Sequence, residues 1–160
     1  MTSNFIENFS RMTSQKQEYA LRMMPSHLAA AEMTTALRDV LVNLDFLQAK
    51  VDKLGPHPLI EDYDLVLRNE SAELRLEDNI KPLDSIQGAI RLSAQVLSQT
   101  SAQLCEQLLG RLLGHASPEI QELLKTARHR NPRRGFVLSH VISRRQEDHS
   151  CATWSGTRKE

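Results

Sequence analysis

From Leu37 the apolar residues fall at Leu37, Val40, Leu41, Leu44, Leu47, Val51 and Leu54, in steps of three and four. Such residues share a side only if the backbone turns once in about 3.6 residues, so the spacing demands one amphipathic helix or two in line. Gly55-Pro56 ends the run, and Pro58 suits the first turn of a second, shorter helix, PLIEDYDLVL, with Ile60, Tyr63 and Leu67 on one face. Beyond the charged stretch RNESAELRLEDN, the residues Leu83, Ile86, Ile90, Ala94 and Leu97 predict a helix of about four turns, broken by Ser-Gln-Thr-Ser at 98–101.

The next segment, AQLCEQLLGRLLGH, is apolar at Leu104, Cys105, Leu108, Leu109, Leu112 and Leu113, a stripe wide enough to be covered on two sides. Such a helix belongs at the centre of its layer. Ser117-Pro118-Glu119 supplies a cap, a proline at the first helical position and an early acid, ahead of Ile120, Leu123, Leu124 and Ala127. Near the N-terminus, YALRMMPSHLAAAE predicts two short helices meeting at Pro25, because proline lacks an amide donor and crowds the preceding turn. Gly110 and Gly114 read as a place of tight contact and a helix end.

The chain has 160 residues, 40% of them hydrophobic but only 4% aromatic, and this leucine-rich balance favours helices over sheets. The expected fold is all-α: packed helical hairpins, arranged as a short α-solenoid or a bundle, with a disordered C-terminal tail. No repeat period chooses between solenoid and bundle. Residues 1–18 are expected to form an N-terminal extension, 19–130 a unit of seven or eight helices, and 131–160 an irregular tail. Leu41, Leu47, Ile90, Leu97, Leu108, Leu112 and Leu124 are the expected core. No apolar run approaches the ~18 residues of a membrane span, and the N-terminus lacks the pattern of a signal peptide. A cytoplasmic protein without a membrane partner is expected.

Charge is divided unevenly. Residues 1–124 carry 11 Lys and Arg against 17 Asp and Glu, whereas 125–160 carry 9 against 3. The basic cluster RHRNPRR, 128–134, has no interleaved aromatic residues and no nucleic-acid motif beside it, and cations suit a helix C-terminus, so nucleic acid is not an expected partner. The glycines form no phosphate-cradling loop, the six histidines have no paired ligand spacing, and the two cysteines suggest neither a disulfide framework nor a zinc site. Glu61, Asp62 and Asp64 point in different directions around a short helix and read as solvated surface rather than as an acid–base pair. The expectation is a chain that is not an enzyme, with no cofactor, metal or small-molecule substrate.

Four blocks carry a likeness: YALRMMPSHLAAAE (19–32), FLQAKVDKL (46–54), LIEDYDLVL (59–67) and IRLSAQVLSQTSAQLCEQLLGRLLGHASPEIQELLKTAR (90–128). Together, over about residues 19–130, they resemble the helical arm of NB-ARC or STAND-type signal-transduction ATPases related to apoptotic protease-activating factor. The resemblance implies a non-catalytic spacer and interaction arm, a fragment of a larger sensor ATPase. There it would connect nucleotide-binding and winged-helix modules upstream to a WD-repeat propeller downstream, and those modules are the protein partners implied. The phosphate-binding loop, the Mg²⁺-binding acids and the propeller blades lie outside this chain, so no ATPase residue is carried over. The alternative is an independent helical adaptor that binds a partner through its Leu-rich face.

The tail departs from everything before it. It holds the chain's single Trp, Trp154, and the second cysteine, Cys151, in SCATWSGTRKE. Back-translated and regrouped by one frame, SRRQEDHSCATWSGTRKE can read Thr-Pro-Pro-Gly-Gly-Pro-Leu-Leu-Arg-Asn-Leu-Val-Gly-His-Lys-Glu, which resembles a linker and the first propeller blade of that family. The expectation is a frame slip near Arg133 or Arg134, with a disordered, functionless sequence beyond it.

Overall fold

The computed structural model describes residues 9, 11–68 and 77–130. Among these it contains seven α-helices, one short 3-10 turn and no strand. Helix α1 spans Ser14–Ala30, α2 Thr34–Leu41, α3 Leu44–Leu54, α4 Pro56–Leu67, α5 Glu77–Gln99, α6 Leu104–Leu112 and α7 Pro118–Arg130, with the 3-10 turn at Ser101–Gln103. The fold is all-α, as its spacing predicts. The expected tail, 131–160, lies outside the described residues.

Each boundary has a local cause. The run from Leu37 to Leu54 is two helices, because Asn43 interrupts it: its Oδ1 accepts hydrogen bonds from the amides of Asp45 at 2.9 Å and Phe46 at 3.3 Å, starting α3 afresh. Gly55 adopts φ +82°, a left-handed conformation that costs glycine little, and it lets α3 pass directly into α4 with Pro56 at its first position. Helix α4 therefore begins earlier than its sequence suggests.

Three expectations about helices are corrected. Pro25 does not divide its segment: α1 runs through it, with Leu21 and Pro25, four residues apart, buried on the same face. Burial of that face holds the helix together where the proline removes one backbone bond. Helix α5 is 23 residues long, far beyond four turns, and carries Pro82 inside it. In α4 the deeply buried residues are Leu59, Asp62, Tyr63 and Val66, while Ile60 and Leu67 are only half-buried. The buried arc is displaced from the predicted face because α4 meets α1, α2, α3 and α5.

The helices succeed one another as packed neighbours, α3 on α4, α4 on α5, α5 on α6 and α6 on α7. Contacts also skip along the chain. Helix α1 lies against α2, α3 and α4, and α7 returns to touch α3 and α5. One continuous cluster of buried side chains draws on all seven helices, which is the organisation of a bundle rather than of a solenoid whose units meet only their neighbours.

Candidate functional site

Leu41, Leu47, Ile90 and Leu124 are fully buried, and Leu97, Leu108 and Leu112 are buried nearly as deeply. The Leu-rich face of α6 is occupied in the same way: Leu104, Leu108, Leu109 and Leu112 are inside, covered by α5 and α7. That face is not open to a partner. Gly110 and Gly114 are exposed, and a Cβ added at either would meet nothing within 4 Å, so the expected tight contact there is absent.

Several polar groups inside the bundle pair with one another or with backbone carbonyls. The Lys50 ammonium of α3 pairs with the Asp62 carboxylate of α4; Lys50 is 1% exposed and Asp62 5%. The expectation that Asp62 is solvated surface is thereby overturned. Only Glu61 and Asp64 of that acidic stretch lie toward solvent, because the helix turns about 100° per residue and carries Asp62 inward beside Tyr63. Lys50 also lies 5.7 Å from the centre of the Phe46 ring. Burial pushes the Asp62 carboxyl up to about 6, opposed by its bond to Lys50, and the same burial lowers Lys50. Next to this pair the fully buried Tyr63 hydroxyl donates to the Leu41 carbonyl at 2.7 Å, tying α4 to the end of α2.

Two further polar ties join neighbouring helices. Gln87 Nε2 of α5 donates to the Ile60 carbonyl at 2.9 Å and to Asp64 Oδ1 at 2.8 Å. The buried Ser93 hydroxyl lies 2.8 Å from the Ala89 carbonyl and 3.1 Å from Gln107 Oε1, and it accepts from Arg111 Nε at 2.8 Å. These groups complete each other's hydrogen bonding and present no convergent set aimed at a ligand. Among the described residues no group of three or more His, Cys, Asp or Glu side chains is placed to hold a metal ion.

A groove of about 560 Å³ lies between α7 and the junction of α2 with α3. Met24, Val40, Val42 and Leu123 give it an apolar floor. Asp39, Asp45, Glu119 and Glu122 line it as well, and no Lys, Arg or His does. Glu119 is bonded to Arg38 and Asp45 to Arg130, two ion pairs that clamp α7 to α2 and α3 at either end of the groove. No local pattern announces this groove, since its two walls are about 80 residues apart in the chain. Its only sequence signal is the row Glu119, Glu122, Leu123 and Thr126, which the helical period places on one side of α7.

The family model of the APAF-1 helical domain matches residues 2–129. No curated protein and no solved structure gives a significant match. Because the family match spans the bundle from its first helix into its last, the chain belongs to the APAF-1 helical domain family.

Proposed function

We propose that this chain is a non-catalytic helical arm that, in a larger sensor ATPase, links the nucleotide-binding and winged-helix modules to a WD-repeat propeller. The family match over residues 2–129 is the observation that carries the reading. The bundle suits it physically. A single core shared by all seven helices makes a stiff spacer, so a displacement imposed at one end is carried to the other rather than absorbed within the arm. The role requires surfaces that meet neighbouring modules and no chemistry of its own.

The nucleotide sequence of the locus tests the linking role. Coding sequence for an ATPase module on one side and a propeller on the other is the expected result, and a locus with neither overturns it. The purified chain is expected to show no saturable binding of ATP with Mg²⁺ in titration calorimetry, because nothing in the arm is assigned to hold phosphates. Micromolar binding would count against a purely mechanical arm.

A further inference from the structure

We propose that α7 is a latch: the pairs of Arg38 with Glu119 and of Arg130 with Asp45 hold it to α2 and α3, and their release lets it tilt about α6 and widen the groove. The two sides of α7 are held by different forces. Along α6 it is packed, with Ile120, Leu124 and Ala127 buried in the common core. Toward α2 and α3 the groove intervenes, and Met24, Val40 and Val42 on its opposite wall are only half-buried. The polar ties across that gap are ion pairs. Arg38 of α2 reaches Glu119 near the start of α7, and Arg130 at the end of α7 reaches Asp45 of α3.

The distribution of charge gives the latch its direction. Glu119 and Glu122 stand on the α7 side of the groove, Asp39 and Asp45 on the α2–α3 side. Lys125 pairs with Glu122 along α7 and does not cross. Arg38 and Arg130 each carry a positive charge over the gap to the opposite wall, so with both in place the walls attract. Without them, acids face acids and the walls repel. The side chains of the two pairs are 21–40% exposed, which puts them within reach of dissolved salt. The buried row of α7 on the α6 side is apolar and feels no such screening. Weakening the pairs therefore moves α7 as a body and leaves the other six helices in place.

Thiol accessibility in the full-length chain tests the latch. Val42→Cys puts a thiol on the half-buried wall of the groove, and Leu92→Cys puts a control thiol on the exposed face of α5, outside the groove. The probe is a bulky maleimide, and labelling is read peptide by peptide in a mass spectrometer, which separates each new thiol from Cys105 and Cys151. Arg38→Gln together with Arg130→Gln should speed labelling at Val42→Cys at least about fivefold and leave Leu92→Cys unchanged. Arg38→Lys with Arg130→Lys keeps both charges and should restore the slow rate. With the native arginines, raising sodium chloride from about 0.1 M to about 1 M shortens the reach of a charge from about 10 Å to about 3 Å and should also speed labelling at Val42→Cys. That arm decides the matter if circular dichroism shows that the glutamine variant does not fold. Equal rates with arginine and glutamine would overturn the proposal, as would a native chain whose groove thiol ignores salt. A matching rise at Leu92→Cys would also overturn it, by showing general loosening, and so would a lysine variant as fast as the glutamine one, by showing that packing rather than charge holds α7.

Discussion

Lys50 stands on a stripe that its own helix marks as apolar, between Leu47 and Val51, and its charge is tolerated there because Asp62 of the next helix meets it. Desolvating two charges offsets most of what their attraction provides, so removing one partner and replacing both have opposite expected effects. Asp62→Asn leaves a buried ammonium without its counter-charge and should lower stability by about 3–5 kcal/mol in urea unfolding. Lys50→Met with Asp62→Leu should be neutral or stabilising by up to about 4 kcal/mol. The pH dependence has a definite sign. Burial raises the folded-state value of Asp62 from 3.8 to about 6, so the folded chain binds the extra proton between these values. Stability from this group is complete below the ordinary carboxylate value and is lost as pH rises through about 6. Lys50, lowered by burial, restores stability only toward its own ordinary value on the alkaline side. The double variant should therefore gain on the native chain between pH 4 and pH 7, as unfolding at the two values would measure; an unchanged difference would sink the argument. One signal of this pair was legible in the sequence, a lysine inside an apolar row. Its partner was not, because which acid of EDYD turns inward depends on where α3 packs against α4.

At the scale of elements, spacing located the helices, while their ends required chemistry that spacing does not contain. The period from Leu37 to Leu54 fits one helix or two equally well, and the decision falls to Asn43, whose side chain satisfies two amides at the start of α3. Asn43→Ala should cost about 0.5–2 kcal/mol, and Asn43→Gly only a few tenths. Equal losses in thermal or urea melts would show that the side-chain cap is not what starts α3. Pro25 and Pro82 mark the opposite failure of local reasoning. Each lies inside a helix whose burial outweighs the lost backbone bond, a balance set by partners distant in the chain. The groove is distant in the same sense. Its acid and apolar residues are visible in the sequence, but their meeting depends on the ion pairs of Arg38 with Glu119 and of Arg130 with Asp45.

For the whole molecule, one core through seven helices predicts one cooperative unit. Leu108 probes it best. It is 1% exposed, near the middle of a helix that is itself covered by α5 and α7, so its loss cannot be relieved by a local rearrangement at an edge. Leu108→Ala should lower stability by about 2–5 kcal/mol through lost transfer energy and the cavity left behind. Leu92 is 71% exposed on the neighbouring helix α5, and Leu92→Ala should change stability by less than about 0.5 kcal/mol. The shape of the transition matters as much as its position. If the core is one unit, the Leu108 variant should unfold in a single step, with far-UV circular dichroism and calorimetry giving the same midpoint. Were α1–α4 and α5–α7 separate units, the substitution would move only the transition of the second and leave a shoulder from the first. A single displaced transition thus supports a stiff arm, whereas two transitions would place a hinge between α4 and α5, and the arm could then bend there instead of carrying displacement from end to end.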